Sequence, residues 1–186
     1  MEHETSNTPL CQHYVTGSTE LTHGSLFSGI GGFEVGAERA GIKTIWNCEF
    51  EDFQSNVLKK IDKDAEQYRD IRTANITRYV DIISGGFPCQ DISVAGKMVG
   101  IKGERSGLWS EMWRTIRVVR PKYVIIENSP ALLIRGFEQV LCDLSKIGYD
   151  AEWQVISNIA FGYPHRKIIR YCLLQPNQTT KRHLRT

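Results

Sequence analysis

Long apolar runs are missing from this chain. None approaches the roughly 20 consecutive residues that a membrane-crossing helix needs, so no membrane partner is expected. The five cysteines, Cys11, Cys48, Cys89, Cys142 and Cys172, are widely scattered. They form no Cys-x-x-Cys pair and have no histidine at zinc spacing, so no metal is expected. Their odd number and the lack of a secretory leader fit reduced thiols in a cytoplasmic protein. Charge of one sign is also scarce. A net charge of +2 does not by itself argue for nucleic acid, which would need basic residues clustered on one face. No internal repeat or low-complexity tract is present.

What remains is a soluble globular composition, 41% apolar and 24% charged over 186 residues, enough for one domain with a substantial core. Residues 1–23 are polar and read as a loosely ordered leader, and residues 24–175 form the domain. Residues 176–186 are a basic tail carrying Lys181, Arg182, His183 and Arg185, read as a solvated end. Within the domain, strands and helices alternate. A strand begins at Leu26-Phe27, a helix covers 33–40 and stops at Gly41, a strand covers 44–48, and a helix covers 52–61. The cycle continues with a strand at 80–84, a helix at 108–119, a strand at 122–127 and a helix at 137–147. Strands at 152–157 and about 167–174 close the pattern. This alternation predicts an α/β fold with a largely parallel sheet and helices on both faces.

Three features carry chemistry. The first is the glycine loop Phe27-Ser28-Gly29-Ile30-Gly31-Gly32 between a strand and a helix, which lets backbone N–H groups approach a ligand. Read alone, it is equally well a simple turn. Glu49 at the next strand end is suited to accept hydrogen bonds from two ribose hydroxyls, and Phe50 to lie against an adenine face. Asp70 and Ile71, ahead of the third strand, offer an acceptor for an exocyclic amine and an apolar surface. In this order these residues outline an adenosine site.

The second feature is Cys89. Lone cysteines are usually buried core residues, and Cys48, Cys142 and Cys172 fit that description on apolar segments. Cys89 differs because Gly85, Gly86 and Pro88 precede it after the apolar stretch 79–83, at the mouth of a parallel sheet, where a nucleophile would be presented. The third is Glu127, at the end of a strand apolar on both faces. A carboxyl group partly desolvated there has its pKa raised and can donate a proton, although a strand-end carboxylate also serves simply to cap a loop.

Over about 25–174 these residues resemble the DNA (cytosine-5) methyltransferases in order and spacing. The resemblance rests on Phe27-Ser28-Gly29-Ile30-Gly31-Gly32-Phe33-Glu34, on Glu49, and on Asp81-Ile82-Ile83-Ser84-Gly85-Gly86-Phe87-Pro88-Cys89-Gln90. Arg105-Ser106-Gly107-Leu108-Trp109 and Ile126-Glu127-Asn128 complete it. It implies the Rossmann-like fold of S-adenosylmethionine-dependent methyltransferases. It further implies that Phe27, Gly29, Ile30, Gly31, Gly32, Glu49, Phe50, Asp70, Ile71 and Pro88 line the S-adenosylmethionine pocket. Cys89 would attack carbon 6 of a cytosine flipped from duplex DNA, with Glu127 at ring N3, and carbon 5 would then accept the methyl group. The segment from Gln90 to Gly107, with Lys97, Lys102 and Arg105, looks like the mobile loop that closes over the base. Restriction-modification and a cytoplasmic or nucleoid-associated setting go with the family.

Two departures shape the expectation. After Gly-x-Pro the family usually carries Gln-x-Arg-x-Arg, whereas here His165, Lys167 and Ile169 hold those positions and Arg170 comes one residue late. The family also continues into a target-recognition region and a returning helix. The sequence therefore reads as a truncated or split enzyme, with a separately encoded target-recognition subunit as possible partner. A transfer-RNA cytosine methyltransferase and an inactive cofactor-binding remnant or regulatory subunit are the alternatives.

Overall fold

The computed structural model describes residues 20–88, 107–162 and 168–176, with side chains undescribed at 134, 135, 158, 161 and 168–176. The first half runs β1 (Thr22–Leu26), α1 (Gly32–Arg39), β2 (Lys43–Cys48), α2 (Asp52–Ile61), β3 (Glu66–Tyr68) and β4 (Ile82–Gly85). The second half runs α3 (Gly107–Val119), β5 (Tyr123–Asn128), α4 (Leu132–Arg135), α5 (Phe137–Lys146), β6 (Tyr149–Ser157) and β7 (Ile168–Pro176). The seven strands form one sheet in the order β3-β2-β1-β4-β5-β7-β6. The first five are parallel, and β7 runs antiparallel to both of its neighbours. After β1 the chain winds outward to β3 and returns to place β4 on the other side of β1. That reversal opens a crevice at the carboxyl ends of β1 and β4.

The core forms where α3 meets the sheet. Trp109, Met112, Ile116 and Val119 recur at helical spacing and pack with Leu26, Ile83, Val124 and Ile126. Val140 and Leu144 of α5 join the same cluster. Trp46, fully buried, lies across β1 at Gly24, where a Cβ would come within 2.2 Å of the indole. The other side of the central strands is buried but polar. His23 Nδ1 lies 2.8 Å from Thr44 Oγ1 and Nε2 lies 2.7 Å from Ser84 Oγ. Burial pushes the His23 pKa down to about 4, so the ring is neutral near pH 7.

At the opposite end of the sheet, Asp81 ties three strand entrances together. Its carboxylate accepts from Thr22 N and Oγ1, each at 2.9 Å, and from Lys122 Nζ at 2.7 Å. Lys122 is the main cause of an Asp81 pKa lowered from 3.8 to about 2. A carboxylate depressed in the folded state stabilises it above the unfolded pKa, and that contribution is lost as pH falls through the folded one. Asp81→Asn should therefore cost about 1 kcal/mol near neutral pH, kept small because Lys122 is solvent-exposed. The gap between variant and parent melting temperatures should close as pH falls from 4 toward 2. A gap independent of pH would show that the ion pair is not its source.

The helices fall close to where their apolar periodicity puts them, and α2 has the expected bounds. The strands differ more. β1 starts at Thr22, because its inward His23 and Ser25 disguise it in hydropathy, and Phe27 has left the strand with φ 53°. β6 likewise begins at Tyr149. β3 and α4, three and four residues long, are too short for a period to register. Cys142 is exposed rather than buried, since α5 turns Val140 and Leu144 inward.

Candidate active site

The candidate residues follow five neighbouring parallel strands at their carboxyl ends. Asp70 follows β3, Glu49 and Phe50 follow β2, and residues 27–32 follow β1. Residues 86–88 follow β4, and Glu127 is the penultimate residue of β5. Asp70 lies ahead of β4, as expected, and also just after β3, a short strand that the sequence did not signal, which brings it to the same rim as the others.

The loop after β1 turns tightly, with Phe27, Gly29 and Gly31 at φ 53°, 56° and 92°. Gly31 N donates to Ser28 O at 3.0 Å, and Ser28 N to Cys48 O at 3.2 Å. Glu49 fixes the loop from the next strand: its buried carboxylate accepts Gly29 N at 2.7 Å and Glu51 N at 2.9 Å. A carboxylate has about four lone-pair sites, so two N–H donors leave acceptor capacity for a ligand's hydroxyls. A Cβ at Gly29 or Gly32 would meet nothing within 4 Å, and Ile30 stands exposed at the loop tip. The loop therefore presents backbone to open space. Behind it, Glu34 is buried, and desolvation raises its pKa.

Phe50 is 59% exposed, an unusual position for a large aromatic ring beside a buried carboxylate. Its carbonyl accepts from Arg69 at 2.7 Å, and Arg69 also pairs with Asp52. Ile71 is placed otherwise: it is 4% exposed and packed in the core, with its carbonyl accepting from Arg114. It offers a ligand little side-chain surface. Phe27 is half-buried against the core.

On the other side of β1, the exit of β4 is clamped by the end of β5. A Cβ on Gly86 would lie 2.5 Å from Glu127 Oε2, so glycine is what lets this carboxylate approach the loop. Asn128, whose part hydropathy does not signal, donates from Nδ2 to Phe87 O at 3.2 Å, and its Oδ1 accepts from Ser129 N. Phe87 is buried and packs at 5.3 Å on Trp109. Pro88 is exposed at the rim, and Cys89, next in sequence, lies outside the described residues. Residues 90–106, 163–167 and the basic tail lie outside them too, while Arg170 stands opposite Asn128 in the β5–β7 register. Among the described residues, no cluster of His, Cys, Asp or Glu could hold a metal ion, and no helix is long and apolar enough to cross a membrane.

A sheet of this order, with a glycine turn after its first strand and a carboxylate after its second, defines a Rossmann-like methyltransferase fold. Solved structures agree. The chain superposes with TM-score 0.73 on the Entamoeba histolytica methyltransferase EhMeth, at 22% identity, covering 85% of this chain and 53% of that one. The Schizosaccharomyces pombe Dnmt2 methyltransferase gives 0.71 at 20% identity, covering 85% and 51%. The family model for C-5 cytosine-specific DNA methylases matches residues 21–181, and the chain belongs to that family. It is 34% identical over 148 residues to the type II methyltransferase M.NgoFVII of Neisseria gonorrhoeae, covering 75% of this chain and 40% of that protein. It is 34% identical over 157 residues to M2.BsuMI of Bacillus subtilis, covering 77% and 39%. The match thus spans about two fifths of those relatives.

Proposed function

We propose that this chain carries the catalytic centre of a DNA cytosine-5 methyltransferase using S-adenosylmethionine. The observation that supports it best is the approach of Glu127 to Gly86, three residues before Cys89, on the same rim as the Glu49-held glycine loop. The residues fit the cofactor. Gly29 and Gly32 leave room for it, Glu49 keeps free acceptor sites, and Phe50 and Asp70 offer a flat face and a carboxylate. When bound there, S-adenosylmethionine supplies an electrophilic methyl group.

Carbon 5 of cytosine is too weak a nucleophile to take that methyl unaided. In this reading the Cys89 thiolate adds its electron pair to carbon 6, the carbon 5–carbon 6 π pair shifts to the carbon 4–carbon 5 bond, and the carbon 4–N3 π pair moves onto N3. Glu127, protonated, donates at N3, so the displaced electron density is not left as bare charge. Carbon 5 thereby becomes an enamine-like nucleophile toward the methyl group that S-adenosylmethionine would supply, the carbon–sulfur bonding pair staying on the sulfur of the departing S-adenosylhomocysteine. A base then removes the carbon 5 proton, that C–H pair restores the carbon 5–carbon 6 double bond as the thiolate leaves, and N3 returns its proton to Glu127. The ring must be extruded from the helix to reach Cys89, at a cost of about a few kcal/mol. Selection of a target sequence is assigned to parts other than residues 20–176, on this polypeptide or on a separately encoded subunit.

The test is transfer of labelled methyl from S-adenosylmethionine into mixed-sequence DNA, with transfer RNA in parallel, by the chain alone and with a candidate recognition subunit. Label in 5-methylcytosine of DNA is expected. Incorporation confined to RNA, or to neither in both settings, would overturn the proposal.

A further inference from the structure

The adenosine end of the rim holds a side chain that the reading above leaves without a role. Asp70 accepts from Arg72 at both oxygens: Nε lies 2.9 Å from Oδ1 and 3.1 Å from Oδ2, and the terminal nitrogen lies 2.8 Å from Oδ2. The Arg72 backbone N–H adds a further bond to Oδ1 at 3.0 Å. The same guanidinium lies over the Phe50 ring, 5.6 Å from its centroid. These are the two groups that an adenine would use, one as a stacking face and one as acceptor for its exocyclic amine. A guanidinium is planar, carries N–H donors along its edge and stacks on aromatic rings, so it satisfies both at once.

We infer that Arg72 competes with the adenine ring for Phe50 and Asp70, holding the adenine subsite and giving way when the nucleoside enters. The side chain can leave: it is 60% exposed and makes no hydrogen bond to any other residue among the described ones. Arg69 cannot replace it, being engaged with Phe50 O and Asp52. An exposed ion pair and an exposed cation–π contact are individually weak, so removing both should tighten nucleoside binding by several-fold, up to about tenfold. The pair is also screened by salt. Added salt should therefore tighten binding to the parent chain while leaving an Arg72 variant unmoved.

The inference rests on the adenosine-site reading, and the experiment separates the two. Isothermal titration with S-adenosylhomocysteine, which has no net charge near neutral pH, compares the parent with Arg72→Ala, Arg72→Gln, Phe50→Ala and Asp70→Ala at low and high salt. Circular dichroism melts check that each variant is folded, and Arg72→Gln stands in if Arg72→Ala is not. Tighter binding by the Arg72 variants, with loss of the salt-induced gain, is expected alongside weaker binding by Phe50→Ala and Asp70→Ala. If those two weaken binding but the Arg72 variants bind equally or worse, Arg72 is no competitor and the adenine subsite stands. If Phe50→Ala and Asp70→Ala leave affinity unchanged, the subsite itself is misread and the inference falls with it.

Discussion

Cys89→Ser is expected to form no denaturation-resistant adduct with 5-azacytosine-substituted DNA in the presence of S-adenosylmethionine, and to lose methyl transfer by about a thousandfold or more. The argument is one of acidity and polarisability. A cysteine near neutral pH has an accessible thiolate, whereas a serine hydroxyl needs a strong neighbouring base to attack a ring carbon. The substitution removes one sulfur and leaves the glycine loop, Glu49 and Phe50 intact, so S-adenosylhomocysteine affinity should be unchanged. The azacytosine ring blocks the step that releases Cys89, and mixed-sequence DNA avoids guessing a target. An adduct of undiminished yield with the variant would mean that another nucleophile attacks carbon 6.

Glu49→Gln should weaken S-adenosylhomocysteine binding by about a hundredfold. Hydrogen bonds to a charged acceptor contribute about 1.5–3 kcal/mol each, and about 1.4 kcal/mol is tenfold in affinity. Glu49 holds the loop by accepting Gly29 N and Glu51 N, one on each oxygen. An amide keeps one acceptor but turns its NH2 toward the other N–H, so loop and ligand lose support together. A modest loss of stability, about 1 kcal/mol, should appear in urea unfolding. Affinity within twofold of the parent would show that Glu49 serves the loop and not the ligand.

Much of this rim was legible in the sequence because its chemistry is local. Glycines at Gly29 and Gly31 announce positive φ, and a carboxylate directly after an apolar strand announces a rim position. The helices announced themselves through the apolar faces of α2, α3 and α5. Other features were hidden, each for a physical reason. β1 conceals itself because His23 and Ser25 are buried by hydrogen bonding to Thr44, Ser84 and Ser28, which no hydropathy pattern reports. β3 makes only three pairs with β2, too few for a sequence pattern to register, so the strand that Asp70 follows went unseen. Ile71 looks like ligand surface next to Asp70, yet the chain after β3 turns it into the core, a consequence of tertiary packing. Asn128 bonds to Phe87, 41 positions away, and Arg72 to Asp70, two positions away, and only coordinates show these bonds.

The strand order has a geometric consequence. Hydrogen-bonded strands keep a spacing of about 4.8 Å, so five of them set β3 and β5 about 19 Å apart at the rim. Under the proposed function the sheet is in effect a ruler, with the adenine end read at β3 and β2 and the reacting carbon at β4 and β5. Its graduations are backbone hydrogen bonds, so they do not depend on how much chain is inserted between marks. Between β1 and β4 the chain makes its whole excursion through two helices and two strands, yet the two remain adjacent, with Leu26 opposite Gly85. Loops on the far edge can therefore lengthen or shorten without changing the distance between the loops after β1 and β4, whereas a single slip of register between these strands would change it at once.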